Sequence, residues 1–145
     1  MKSLKFRIAT PARVVYENDN VEQVTIPTTT GQITVLPNHI PLVSIIQSGE
    51  LVIKDPSGEN IIAVASGFLE IRANNEVIVL ADHAEKAEEI DLDRAEEARK
   101  KAEEQMKQIK SVQDVDFARL QSKIDREMNR LKIGKKYKNI KQKPQ

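Results

Sequence analysis

The sequence contains no cysteine, no tryptophan and only two histidines among its 145 residues. Without thiols the chain has no disulfide framework, no iron–sulfur site and no thiol nucleophile. His39 and His83 lie far apart and form no His-x-x-x-His pair, so the sequence predicts no zinc or other metal site. Aromatic residues make up 3% of the chain, too few for a base-stacking platform, and this argues against nucleic acid as a partner.

Long apolar runs are also absent. No stretch approaches the roughly 20 apolar residues that a membrane-spanning helix needs. The first ten residues, MKSLKFRIAT, lack the apolar core of a signal peptide. We therefore expect a soluble intracellular protein that contacts a membrane only through a larger complex.

Short β-branched segments fill the first half of the chain. Up to about Ala81 apolar residues recur with a period of two, as in LKFRI, QITVL and EVIVLA. Turn sequences such as NDN, TTTG, DPSG and ANN separate these segments, and no helix-length segment intervenes. The pattern predicts an antiparallel β-sandwich or flattened barrel of about ten strands over residues 1–83.

A helical pattern replaces this one in the second half. Residues 84–133 contain no glycine or proline and are rich in good helix formers. Apolar residues spaced three and four apart predict two helices joined by a turn near residues 112–113, which together form an antiparallel hairpin. The chain is thus predicted to be an α+β protein. The two apolar stripes comprise Leu92, Ala95, Ala98, Ala102, Met106 and Ile109, and then Phe117, Leu120, Ile124, Met128 and Leu131.

The ends of the two helices can also be predicted. Asp93 and Glu96 fit a capping box at the start of the first helix, and Gly134 fits a C-cap at the end of the second. Residues 134–145, which carry five lysines, are predicted to form a disordered basic tail. The first stripe is mostly alanine, so the hairpin buries little apolar area by itself. We therefore expect the hairpin to be a mobile element.

Arginines are the candidate binding residues of the hairpin. Folding it about residues 112–113 places Arg94 level with Leu131, and Arg126 and Arg130 share one face of the second helix because they are four residues apart. Three guanidinium groups would converge at the open end, where a phosphate would relieve their repulsion.

The alternative interpretation is ordinary ion pairing on helix surfaces, for which Asp91, Glu97 and Glu127 are close enough.

Three segments together resemble a known family. They are GQITVLPNHIPLVSIIQSGELVI at 31–53, ASGFLEI at 65–71 and VIVLADHAEKAEEIDLDRAEEARKKAEE at 77–104. They are similar to the epsilon subunit of F-type, proton-translocating ATP synthase, in the family's order and over about residues 4–134. The resemblance implies a ten-stranded sandwich followed by a regulatory helical hairpin, in a non-catalytic subunit of the rotor.

The resemblance also implies partners. The sandwich would bind the gamma subunit and the ring of c subunits, with Gly31 and Gln32 facing the ring and His39 near gamma. The hairpin would inhibit ATP hydrolysis when it extends along gamma toward the alpha/beta hexamer. The protein would be peripheral, at the cytoplasmic face of the bacterial plasma membrane. From the residues alone, His39 has a second interpretation, in which its ring serves neighbouring backbone groups in a proline-fixed turn.

The segment IDLDRA matches the family's nucleotide-binding signature. The resemblance implies that ATP is a regulatory ligand of the hairpin and not a required cofactor. Lys101 stands where the best-known binders have a further arginine. The residues carried over to the ATP site are Glu85, Ile90, Asp91, Arg94, Ala95, Arg126 and Arg130.

Two other function classes stay open beside the rotor subunit. One is a stand-alone ATP-sensing interaction module, and the other is an independent enzyme. The sequence has neither a GxxxxGK[ST] nor a GxGxxG loop and no Ser/His/Asp grouping, so no motif supports the enzyme.

Overall fold

The computed structural model describes residues 2–109 and 115–142. It divides into two compact units, Met1–Lys86 and Ala87–Gln145. The predicted boundary after residue 83 falls three residues early, because the last strand of the first unit continues to Lys86.

Eight strands form the first unit within the described part of the chain. They are β1 (Leu4–Ala9), β2 (Val14–Val21), β3 (Gln23–Thr28), β4 (Gly31–Val35), β5 (Leu42–Ile46), β6 (Gly49–Asp55), β7 (Gly58–Arg72) and β8 (Glu76–Lys86). Their order is β2-β1-β8-β7-β5-β3-β4, and β6 pairs with both β3 and β7. The pairs β3–β5, β5–β7, β7–β6 and β6–β3 make a closed circuit, which confirms the predicted sandwich. One pair, β1–β8, is parallel, whereas the prediction was antiparallel throughout.

The strand count is close to the predicted number of about ten, and part of the difference arises because β7 serves two partners. Its first half pairs with β6 and its second half with β5, so NIIAVA and FLEIR belong to one 15-residue strand. Ser66 lies where β7 changes partner, and it has a positive φ of 53°. In the pairing of β7 with β8, Ala65 pairs with His83 and Gly67 with Ala81, and Ser66 has no paired residue. A Cβ on Gly67 would lie 2.2 Å from the Leu80 carbonyl oxygen. Only glycine fits this close approach of β7 to β8.

Alternate strand residues point inward and form one apolar core. Leu4, Phe6 and Ile8 of β1 are buried, as the period of two predicted. They pack in one cluster with inward residues of β3, β6, β7 and β8, including Val24, Ile26, Leu51, Ile53, Leu69, Ile71, Val77 and Val79.

Asp55 is a buried carboxylate at the end of β6. Its Oδ1 accepts hydrogen bonds from the Ser57 amide at 2.8 Å and the Ser57 hydroxyl at 2.5 Å. Its Oδ2 accepts from Tyr16 Oη and Asn60 Nδ2 at 3.1 Å and from Asn18 Nδ2 at 3.4 Å. The Ser57 hydroxyl is the largest of the influences that hold the pKa of Asp55 below its ordinary value.

Two helices form most of the second unit. They are α1 (Leu92–Lys107) and α2 (Val115–Gln142), preceded by a short 3-10 turn at Ala87–Glu89. Ala102 packs against Leu120 and Ile124, with Met106 and Ile109 partly buried beside them. The predicted helical hairpin is therefore confirmed, while its predicted turn at 112–113 lies outside the described residues.

The predicted cap of α1 is wrong. Leu92 is the first helical residue, so the N-cap is Asp91 and Asp93 lies inside the first turn. Asp91 has the extended backbone, φ −88° and ψ 103°, that an N-cap adopts, and its carboxylate can therefore reach back to a free amide.

The predicted end of α2 is also wrong. The helix passes through Gly134 and continues to Gln142, into the segment predicted to be a disordered tail. Gly134 is buried, and a Cβ there would lie 2.7 Å from Leu92 Cδ2 and 3.1 Å from Ile90 Cγ2. The missing side chain thus permits α2 to approach the start of α1, and this contact outweighs the low helix propensity of glycine.

Candidate functional site

Most residues of the IDLDRA motif have a structural role at the start of α1. The Asp91 carboxylate accepts a hydrogen bond from the Arg94 amide at 3.1 Å. Ile90 and Ala95 are buried within the helical unit. Three residues of the motif therefore fix the cap and the packing, and they hold Arg94 in the first turn of the helix.

Arg94 is an exposed residue of the motif, as are Asp91 and Asp93. Its side chain is exposed and makes no hydrogen bond or ion pair with another residue in the parts of the chain that the structure describes. The first turn of a helix also presents the positive end of the helix dipole. This turn therefore combines an exposed guanidinium with a positive backbone potential, a combination that favours an anion.

The two second-helix arginines meet on one carboxylate. Arg126 Nε lies 3.6 Å from Glu127 Oε1, and Arg130 Nη1 donates to Glu127 Oε2 at 2.7 Å. Glu127 is only 4% exposed. Both arginines therefore pair with Glu127, one of the partners that the alternative interpretation named, but this carboxylate is buried and not on a solvated helix surface. Convergence of Arg94 with the pair stays a prediction, although the contact of Gly134 with Leu92 agrees with the predicted helix register.

Arg99 is neutralised within α1. Its Nη1 donates to Glu103 Oε1 at 3.0 Å, and its Nη2 donates to Glu96 Oε1. The Arg99 guanidinium holds the pKa of Glu96 below its ordinary value, and Glu96 in turn raises the pKa of Arg99. Lys101, at the position of the further arginine in known binders, is exposed.

Glu85 lies in the other unit. It belongs to β8, where it pairs in register with Ala63 of β7. The remaining six predicted ATP-site residues all lie in the helical unit. The participation of Glu85 in a site with them therefore stays a prediction.

The predicted docking residues occupy two ends of β4. Gly31 begins the strand with a φ of 123°, and its carbonyl accepts a hydrogen bond from the Thr28 hydroxyl at 2.5 Å. Gln32 follows and is exposed. His39 lies in the loop that follows the other end of the strand, at Val35.

The structure shows a local role for the His39 ring. Its Nδ1 lies 2.6 Å from the Ile40 carbonyl oxygen, as the second interpretation of this residue predicted. The neighbouring Asn38 has a positive φ of 70°, and its amide donates to Asn75 Oδ1 at 2.6 Å. These contacts fix the loop, and they place His39 at the edge of an open cavity of about 530 Å³ that Lys2 also lines.

An exposed apolar row is the feature that sequence reasoning missed. Ile45, Phe68 and Leu80 are direct neighbours across β5, β7 and β8. They are 54%, 59% and 56% exposed, and Val43 on the same face of β5 is 70% exposed. Ile45, Phe68 and Leu80 border a depression of about 570 Å³. The sequence LVSII of β5 could have indicated this row, because apolar residues there occupy both faces of one strand.

Two family models match the chain. The ATP synthase delta/epsilon chain beta-sandwich domain matches residues 3–87, and the long alpha-helix domain matches residues 88–135. The chain belongs to the ATP synthase delta/epsilon family. The second match ends at residue 135, whereas α2 continues to Gln142.

Curated relatives within this family are epsilon chains. The ATP synthase epsilon chain of Dehalococcoides mccartyi is 42% identical over 136 residues, covering 94% of this chain and 95% of the relative. That of Halalkalibacterium halodurans is 37% identical over 134 residues, covering 92% and 98%. These matches confirm the predicted family and make the chain a non-catalytic subunit of an ATP synthase.

Solved structures share the fold. A chain in the Euglena gracilis mitochondrial ATP synthase, OSCP/F1/c-ring in rotational state 1, aligns with a TM-score of 0.66 at 18% identity, covering 97% of this chain and 82% of that one. A chain in the Tetrahymena thermophila mitochondrial ATP synthase central stalk/c-ring aligns with a TM-score of 0.56 at 14% identity, covering 94% and 98%. Within the described residues, no helix of this chain is long and apolar enough to span a membrane.

Proposed function

We propose that this chain is a rotor subunit whose sandwich docks onto the gamma subunit and the c ring and whose helical unit regulates ATP hydrolysis. The observation that carries the proposal is the exposed apolar row on a rigid sandwich of the epsilon family. Two solved structures that share this fold come from complexes that include a c ring, and one of them is described as a central stalk. The subunit would be peripheral, at the cytoplasmic face of the bacterial plasma membrane.

The apolar row is the proposed gamma-binding surface. Monomeric proteins rarely expose a contiguous group of large apolar side chains unless it binds a partner. Ile45, Phe68 and Leu80 lie side by side, and phenylalanine, the central residue, is one of the aromatic residues enriched at protein interfaces. Gly31 and Gln32, at the exposed β3–β4 turn, are the proposed contact with the c ring.

The hairpin is the proposed regulatory element. ATP bound at Arg94, Arg126 and Arg130 would stabilise the folded hairpin, because a ligand that binds one state stabilises it by RT ln(1 + [L]/Kd), about 2.7 kcal/mol at a hundredfold excess. When ATP is lost the hairpin extends along gamma toward the alpha/beta hexamer and inhibits rotation. The small apolar cluster around Ala102, between α1 and α2, supports this proposal. Because the two helices bury little apolar area against each other, little stabilisation is lost when the hairpin rearranges.

Affinity purification from the cells that make this protein tests the docking role. A tagged chain should recover gamma, c, alpha and beta subunits, identified by mass spectrometry. Phe68→Glu places a charge in the middle of the apolar row. Because binding would bury this charge without a partner, at a high cost in free energy, the recovery of gamma should fall at least tenfold. Thr34→Glu, on the exposed face of β4, is the matched control. Equal recovery with Phe68→Glu would exclude the row as the gamma surface.

A stand-alone ATP-sensing module gives a different result in the same experiment. It would bind ATP in isothermal titration but recover no rotor subunits. Absence of both heat and NMR shifts at millimolar ATP would remove the ATP-binding part of the proposal and leave the docking role intact.

A further inference from the structure

Glu127 occupies a position that the helix pattern assigns to an apolar residue. Buried positions recur along α2 at spacings of three and four, at Leu120, Ile124, Glu127, Leu131 and Gly134. Met128, which the sequence pattern placed on this face, is instead 53% exposed. A carboxylate thus lies in the inward line of an otherwise apolar helix face.

A buried carboxylate is costly unless charged partners compensate it. Here the partners are Arg126, at 3.6 Å, and Arg130, at 2.7 Å. Their side chains are 29% and 22% exposed, so solvent screens the pair less than it screens a surface ion pair. No buried side-chain nitrogen or oxygen lacks a hydrogen-bond partner among the described residues. The three side chains therefore form a satisfied charged group at the same two arginines that the proposed ATP site uses.

We propose that the Glu127 carboxylate is a built-in competitor of the ATP phosphates for Arg126 and Arg130. The inference rests on the proposed ATP-binding function and concerns its regulation. A guanidinium has a fixed set of donors, so a phosphate that takes a paired geometry must share or displace the carboxylate. A carboxylate that stays in place repels the phosphate at short range. In either case Glu127 weakens ATP binding, and it keeps the arginine pair neutralised when ATP is absent.

Isothermal titration of ATP into the full chain tests this competition. Glu127→Gln keeps the shape of the side chain but removes its charge, and we expect ATP to bind about tenfold more tightly, the scale of one charge-assisted hydrogen bond. Glu104→Gln makes the same chemical change at an exposed position on α1 and should leave the affinity as in the wild type. Circular dichroism of each variant checks that the helices remain folded.

A second measurement needs no variant. In wild-type protein with labelled side chains, the Glu127 Cδ resonance and the Arg130 Nε resonance should shift together as ATP saturates the chain. The Glu104 Cδ resonance should stay in place.

The outcomes separate the inference from the function on which it rests. Tighter binding by Glu127→Gln, or binding by this variant alone, supports the competition. ATP binding that is equal or weaker in Glu127→Gln than in the wild type, with an unmoved Glu127 resonance, overturns the inference while the ATP site stands. Absence of ATP binding by both proteins at millimolar ligand removes the ATP site and the inference with it.

Discussion

Replacing Asp55 by Asn should destabilise the sandwich through its hydrogen bonds rather than through its volume. The two oxygens of Asp55 accept five hydrogen bonds, two from Ser57 and one each from Tyr16, Asn18 and Asn60. In asparagine an NH2 group, which is a donor, replaces one of the two carboxylate oxygens. Because each oxygen accepts at least two of these bonds, at least two donors lose their acceptor. Hydrogen bonds to a charged group contribute about 1.5–3 kcal/mol each, and part of the loss relaxes, so we expect about 3 kcal/mol.

Urea unfolding followed by NMR amide signals of the sandwich measures this loss separately from the helical unit. For a domain of this size a slope of about 1.5 kcal/mol per M converts 3 kcal/mol into a fall of the midpoint by about 2 M. Asp19→Asn is the matched control, because Asp19 is exposed and uses only its backbone carbonyl, which accepts from Ser3. Its midpoint should move by no more than about 0.3 M.

The same pair of proteins gives a pH test. The folded-state pKa of Asp55 is lowered, so its ionised form contributes stability above the unfolded pKa, about 3.9, and loses it as the pH falls through the folded value. The difference in urea midpoint between the wild type and Asp55→Asn should therefore be largest at pH 7 and should become smaller below about pH 4. An equal midpoint at pH 7, or a gap that persists unchanged at pH 2, would refute the reasoning.

Three further predictions concern other positions. Gly67→Ala should prevent folding of the sandwich, because the new methyl group would lie 2.2 Å from a carbonyl oxygen of β8; a native amide NMR spectrum would contradict this. Gly134→Val should destabilise the helical unit by about 1–3 kcal/mol through overpacking against Leu92, seen as a lower melting temperature in far-ultraviolet circular dichroism, and a higher melting temperature would contradict it. Arg126→Ala should weaken ATP binding at least tenfold in isothermal titration, the scale of one charge-assisted hydrogen bond, whereas Arg119→Ala, an exposed arginine that pairs with Asp116, should bind as the wild type does.

The sequence predicted most of the sandwich because each strand is locally consistent. Period-two burial holds for Leu4, Phe6 and Ile8, and turns fall where Gly and Asn adopt positive φ. The long β7 was missed because its change of partner at Ser66 depends on two other strands, β5 and β6, and no local pattern records it. Local rules likewise singled out Gly134 but predicted it to be a C-cap. Its actual role is to permit the close contact of α2 with Leu92, which local sequence does not record.

The candidate sites show the same limit. Sequence spacing identified Arg126 and Arg130 as neighbours, and the structure shows that Glu127 holds both. The spacing of Ile124, Glu127 and Leu131 contained this information, but a glutamate in a charged segment is normally assigned to the solvent-facing side. The apolar row at Phe68 was missed because strand patterns give the inward face and say less about what covers the outward one.

Among the described residues, each unit contains one buried carboxylate, and the two carboxylates have different kinds of partner. This difference supports the proposal that the sandwich docks and that the helical unit switches. Asp55 is held by hydroxyl and amide donors, which are neutral and which an external anion has little tendency to displace. Glu127 is held by two guanidinium groups, for which a phosphate is a stronger ligand than a carboxylate because it has more charge and more acceptor oxygens. Asp55 therefore fixes one arrangement of the sandwich under all nucleotide conditions. Under the proposed function, the pairing of Glu127 would instead depend on the concentration of ATP, so of these two carboxylate sites the one in the helical unit is the one that we expect a nucleotide to rearrange.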